Sequence, residues 1–293
     1  MDLHQIATLF RRSFDDWNRH NDTRLGAALA FYTILSISPL VIITVAIASL
    51  LYSQSTAKTH LLDQVQSLVG WQGRVSVQAI LNSGHGFKNG IVSTIIGVVV
   101  LVVGASSVFQ ELRSDLNQIW NVDPQTTSGI RGLLRERVFS FGLVLSVGFL
   151  LLVSLVISAA LTAIAKFFSG LLPVPPLLLD LFNNLISLAG IAILIAAILK
   201  YVPACPVAWR DVRVGATVTA ILFVIGKALL GIYLGMSSTA SSYGAAGSLV
   251  VLVIWVYYSA QIFYFGAEFT HVHGLMNRKQ LDEPRNPEMK RAA

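Results

Sequence analysis

Tyr257, Gln261, Tyr264, Glu268 and His271 recur at spacings of four, three, four and three, which sets them on one face of a single helix. About twenty mostly apolar residues from Gly247 carry them, enough to cross a bilayer core of about 30 Å at about 1.5 Å per residue. Unpaired polar groups in hydrocarbon are costly, so this stripe turns toward protein or water. Other apolar segments offer groups to answer it: Arg24, Tyr32 and Ser36 on one face of the first, Gly104, Ser107, Glu111 and Ser114 on the second, and Arg213 and Thr217 on the fifth. Two chemistries fit. The groups line a polar vestibule open to the cytoplasm and sealed by an aliphatic plug, or they hydrogen-bond helix to helix with no cavity. Lys227 is a further anomaly, about 21 Å into the fifth segment at helical rise. It either snorkels to the surface or presents a cation to an anionic headgroup or a carboxylate. Pro39, after Ser36 and Ser38, predicts a kink that is either structural or a hinge.

Composition supplies the setting for these residues. Of 293 residues, 54% are apolar and only 12% charged, with mean hydropathy +0.68. Soluble domains carry about a quarter charged residues, so the chain reads as an all-α membrane protein. The single cysteine, Cys205, excludes an internal disulfide and any multi-cysteine metal site. About twenty-four polar and charged residues precede the first apolar block, which is too long for a signal-peptide core and is expected to act as an uncleaved anchor.

The pattern predicts a cytoplasmic region, 1–24, holding an amphipathic helix in the membrane surface, with Leu3, Ile6, Phe10, Phe14 and Trp17 on its apolar side. Residues 25–273 form the transmembrane domain. Its six spans lie at about 25–52, 91–109, 138–165, 181–199, 214–234 and 247–272, with a helical segment outside at 58–83. The second span is expected to continue as a helix through Trp120. Residues 237–247 form either a flexible turn or a re-entrant segment, and 274–293 a disordered tail. Small residues four apart, such as Gly231 and Gly235, suit close helix packing. Of the 21 Lys and Arg, sixteen fall on the side of both termini, four on the other, and Lys227 within a span. By the positive-inside rule both termini are cytoplasmic.

Three blocks resemble a known family. They are Leu29–Leu40 (LAFYTILSISPL), the run LRSDLNQIWNV from Leu112, and SYGAAGSLV from Ser242, with FGAEF at Phe265–Phe269. Together they are similar to the YihY/virulence factor BrkB family of bacterial inner-membrane proteins, over roughly Phe14 to His273. Phe31 departs from the pattern, standing where a second tyrosine often occurs, which removes a hydroxyl there. The family brings no settled activity, so the resemblance implies a multi-pass inner-membrane location and no catalytic residue.

Some relatives carry an old ribonuclease label, which the residues do not support. No HxHxDH or HExxH metal motif occurs, His271 and His273 stand as an isolated pair, and no GxSxG elbow or Walker loop is present. The expected site therefore has no catalytic residue, metal or cofactor, and nucleic acid is not an expected partner. Its candidates are Arg24, Tyr32, Ser36, Pro39, Glu111, Lys227, Tyr257, Gln261, Tyr264 and Glu268. The function they suggest is that of a non-enzymatic transporter or flippase-like protein for an amphipathic, lipid-like and conceivably anionic envelope molecule. The alternative is a non-transporting assembly or interaction protein of the envelope. The oligomeric state is left open.

Overall fold

Asn21 and Asn121, the two non-glycine residues with positive φ (57° and 52°) among the described residues, mark the two joints that shape the end of the bundle nearest α1. A computed structural model describes residues 3–49, 53–83, 91–122, 176–236 and 247–282. Within them the chain is helical, without strands: α1 (Leu3–Arg19), α2 (Asp22–Ala48), α3 (Gln54–Val69), α4 (Trp71–Ser83), α5 (Ile91–Ile119), α6 (Pro176–Tyr201), α7 (Trp209–Met236) and α8 (Gly247–Asp282). The expected third span, the 237–246 lead-in and the tail from residue 283 lie outside the described residues.

At the first joint the Asn21 carbonyl accepts from Arg24 N at 2.8 Å, so the residue that stops α1 also starts α2. Asparagine suits this because it tolerates the left-handed conformation. At the second joint Val122 N donates to the Asn117 carbonyl at 2.8 Å and closes α5. The expected extension of the second span is present, and its cause is visible. Leu112, Leu116 and Ile119 are all buried, packing with Leu25 of α2, Leu199 of α6, Val212 and Ala216 of α7 and Tyr264 of α8.

α2 runs as one uninterrupted helix through Pro39. At its far end Val41, Val45 and Ala48 pack against Ala57 and Leu62 of α3 and Val77 and Leu81 of α4, so the short helices cap the bundle. Ser53 caps α3, accepting from Thr56 N at 3.2 Å, and Gly70 at φ +87° turns the chain into α4. α1 does not lie apart from the bundle. Leu9 is buried with Phe269 and Val272 of α8, while Phe10 packs tilted against Phe269 at 5.1 Å and stacks on Phe265 at 6.2 Å. Ile6, Phe10 and Phe14 remain exposed on its outer side. α8 reaches Asp282, well beyond the expected end near 272, because Met276 packs into this same cluster and Asn277 bonds to Asp211 of α7 at 3.1 Å.

α7 and α8 approach most closely at two reciprocal pairs. A Cβ on Gly215 would collide with Thr270, and one on Gly266 with Thr219. Each threonine hydroxyl donates to the glycine carbonyl four residues earlier on its own helix, at 2.7 Å, leaving no unmet donor in the contact. Among the described residues nothing stands within 4 Å of a Cβ built on Gly231, because α7 turns Gly215, Thr219 and Gly226 to its neighbour instead.

The outer surface is apolar. Ile221, Val224, Leu229 and Ile232 of α7, Leu249 and Val253 of α8, and Phe31 and Leu35 of α2 are exposed. Among the described residues two helices, Trp209–Ile232 and Leu249–Arg278, are long and apolar enough to cross a bilayer, and a third of each is buried by protein. The remaining apolar surface is the kind that hydrocarbon covers. Gly215→Val should lower the unfolding temperature in detergent sharply, because overpacking costs about 1–3 kcal/mol. Gly231→Ala should leave it unchanged or raise it, and equal losses at both sites in a thermal scan would refute the pairing.

Candidate functional site

The α1–α2 joint brings His20 and Asp22 against the C-terminal half of α8, where Glu268 faces them. Asp22 and Glu268 have no solvent exposure. His20 Nδ1 lies 2.5 Å from Glu268 Oε1, although the two residues are 248 apart in sequence. The His20 carbonyl accepts from Gln118 Nε2 of α5 at 3.0 Å, which holds the joint against α5. Ligand atoms of His20, Asp22 and Glu268 all fall within 4.8 Å of one another. Both Asp22 carboxylate oxygens and Glu268 Oε2 are buried without a hydrogen-bond partner.

One turn of α8 earlier, the Tyr264 hydroxyl donates to Asp115 Oδ2 of α5. Asp115 is buried as well, so three carboxyl groups from α2, α5 and α8 gather in one layer. Burial pushes the Asp22 carboxyl up to about 8, with the Glu268 charge adding to the effect. Burial pushes Asp115 up to about 7, opposed by the Tyr264 hydrogen bond, while Glu111 raises it and Arg24 lowers it. Removal from water costs a carboxylate far more than these neighbours return, so the layer favours bound positive charge.

All five residues of the α8 stripe lie against protein. Tyr264 and Glu268 close on α5 and on the α1–α2 joint, and His271 lies beside Trp120, ring centroids 5.8 Å apart. Gln261 Nε2 reaches the Asp22 and Thr23 carbonyls at 3.4 Å, and a Cβ on Gly26 would strike its side chain. Tyr257 packs beside Ala30, Leu252 and Val256. Ser36 is buried on Gly104 and donates to the Tyr32 carbonyl at 2.8 Å, so this pair acts as a helix contact. Tyr32 is half-buried, its ring edge-on to Phe31. Arg24 is exposed and Glu111 half-buried, both acting electrostatically on Asp115. The side chain of Pro39 lies outside the described residues. Lys227 is exposed on α7. It follows Gly226, which faces Tyr258 and Ile262, so it sits about 15 Å along α8 from Glu268.

These side chains fill the layer rather than line an axial opening among the described residues. Among the described residues there is an open space at the side of the bundle. A groove of about 280 Å³ lies between α1, α7 and α8, walled by Phe14, Trp17, Leu222, Ile225, Leu229, Tyr258, Gln261 and Phe265. Trp17 Nε1 and Gln261 Oε1, atoms of two wall residues, are buried without a partner. Gln261 thus belongs both to the groove and to the edge of the carboxyl layer.

Sequence reasoning did not single out His20, Asp22 or Asp115. Asp115 stood in the block from Leu112 used for the resemblance, and Asp22 opens α2, where an acidic residue is also an ordinary helix start. A second polar tie was missed for the same reason: His273 Nδ1 sits 3.0 Å from Asp211 Oδ1, which the sequence places at the start of another helix.

The Asp115 shift fixes the direction of a pH effect. The folded protein holds a proton on Asp115 that the unfolded chain, with an ordinary value near 3.8, releases. Its contribution to stability is fullest below about 4 and falls as pH rises through about 7. Asp115→Asn should flatten thermal stability across that window in detergent. An Asn variant that keeps the full slope would contradict the assignment.

Comparison with known proteins fits this membrane architecture. The model of the family described as virulence factor BrkB matches residues 13–292. A UPF0761 membrane protein of Alteromonas mediterranea is 30% identical over 291 residues, covering 96% of this chain and 93% of that protein. One from Tolumonas auensis is 28% identical over 268 residues, covering 90% and 85%. One from Neisseria meningitidis serogroup B is 27% identical over 233 residues, covering 79% of this chain and 54% of its own longer chain. No solved structure matches. A match across nearly the whole chain, with the buried tyrosine, the carboxyl layer and the apolar exterior all inside it, places this integral membrane protein in the virulence factor BrkB family.

Proposed function

We propose that the protein is a transporter or flippase-like protein of the bacterial inner membrane that moves an amphipathic, lipid-like envelope molecule. It crosses the membrane six times with both termini in the cytoplasm, following the distribution of Lys and Arg. The observation that carries the reading is the lateral groove. Its walls are almost wholly apolar, and two wall residues, Trp17 and Gln261, each carry a polar atom, Nε1 and Oε1, buried behind that wall without a partner. An acyl or prenyl chain satisfies the apolar wall, and turning the Trp17 and Gln261 side chains into the groove would give its polar linkage a donor and an acceptor. Gln261 also touches the α2 N-terminus at the carboxyl layer, which gives the groove a mechanical link to the charged groups. Lys227 is exposed but lies on the side of α7 away from Leu222, Ile225 and Leu229 at helical spacing, so it stands outside the groove. The cytoplasm-facing cavity of this reading is then entered from the side, between α1 and α7.

Reconstitution into vesicles with fluorescently labelled phospholipids tests this. Leaflet exchange should depend on the protein. It should fall at least about tenfold in Leu229→Trp, which fills the groove from an exposed position. Exchange no faster than in protein-free vesicles for every lipid class, together with stable capture of an envelope protein, would replace transport with the assembly role.

A further inference from the structure

We propose that His20, Asp22 and Glu268 bind one divalent first-row transition-metal ion of the Mn²⁺, Fe²⁺ or Zn²⁺ kind, pinning the α1–α2 joint to α8. The site is independent of the transport reading. Its strongest support is the state of the carboxylates. Asp22 and Glu268 are fully enclosed, and three of their four oxygens have no hydrogen-bond partner. Shared protons answer this poorly, since each proton serves one oxygen and itself needs an acceptor. His20 Nδ1 already engages the fourth oxygen, Glu268 Oε1. A dication cancels both charges and accepts lone pairs from several oxygens at once.

The donor set selects the class of ion. One imidazole with two carboxylates suits Mn²⁺, Fe²⁺ or Zn²⁺ better than Mg²⁺ or Ca²⁺, which take oxygen ligands. Donors about 2.0–2.2 Å from one ion lie at most about 4.4 Å apart. The three here fall within 4.8 Å, so a shift of a few tenths of an ångström closes the shell. The scaffold fixes two of the donors well. Asn21 sets the joint in its left-handed turn, and Gln118 holds the His20 carbonyl. Three protein ligands leave further positions for water or for an anionic oxygen.

The test uses the full chain, purified in detergent without a histidine tag and stripped with EDTA. Equilibration with Mn²⁺ or Zn²⁺ followed by elemental mass spectrometry should give about one ion per chain, with the unfolding temperature raised by about 5 °C. Asp22→Asn and Glu268→Gln should each weaken binding at least about tenfold, while Asp63→Asn, on exposed α3, should bind as the parent does. Should the buried variants fail to fold, pulsed electron paramagnetic resonance of Mn²⁺ on the parent protein decides. An imidazole-nitrogen coupling must be present, and must vanish in His20→Gln. No retained ion, retention undiminished in a folded Asp22→Asn or Glu268→Gln protein, or a Mn²⁺ signal without that coupling would overturn the site.

Discussion

Three carboxyl groups held away from water at one level of the bundle set the terms for the rest of this structure. Asp22, Asp115 and Glu268 come from three different helices, and each is buried. Carboxylates do not gather in a low-dielectric layer without a compensating partner. Here the compensation is distributed: the Tyr264 hydroxyl on Asp115, the His20 ring on Glu268, and raised proton affinity at the two aspartates. Each requires a helix in a particular place. The Asn21 turn, the extension of α5 beyond the apolar segment and the length of α8 all serve to bring those partners into one layer.

The same arrangement explains why the end of the bundle nearest α1 is the centre of its polar packing. α5 delivers Leu116 and Ile119 beneath the carboxyl layer, and α6 and α7 seal it with Leu199 and Val212. Asn117 accepts from Ala204 N at 2.8 Å, and Lys200 donates to the Val207 carbonyl at 2.5 Å, so the elbow between α6 and α7 is fastened to the same region. The opposite end rests on apolar packing of α2 against α3 and α4. Polar ties at one end and aliphatic contacts at the other leave the lateral groove bordering both kinds of surface.

Much of this organisation was legible in the chain, and the reasons are periodicity and depth. The stripe on α8 could be read because residues three and four apart must share a face, and Tyr264 and Glu268 indeed turn inward. The extension of α5 could be read because Leu112, Leu116 and Ile119 continue an apolar face past the long apolar run. What was not legible depends on contacts between distant segments. Nothing local distinguishes Asp22 from an ordinary acidic helix start, or His20 from a surface residue, until Glu268 is placed beside them. Lys227 drew attention as a charge in an apolar run, yet the fold exposes it on α7, well along from the carboxyl layer. Gly231 looked like a packing residue by spacing, while the close contacts fall at Gly215 and Gly266, whose threonine partners lie on another helix.

The central claim is that His20 and Glu268 act as one buried pair on which the carboxyl layer is assembled. A double-mutant cycle measures this most directly, with thermal unfolding of the parent, His20→Gln, Glu268→Gln and the double variant in the same detergent. Breaking one partner of a buried pair should destabilise strongly, and the double variant should lose clearly less than the two single losses combined, a coupling on the order of 1–3 kcal/mol. Losses that add within about 0.5 kcal/mol would show that the two side chains do not interact and would contradict the account.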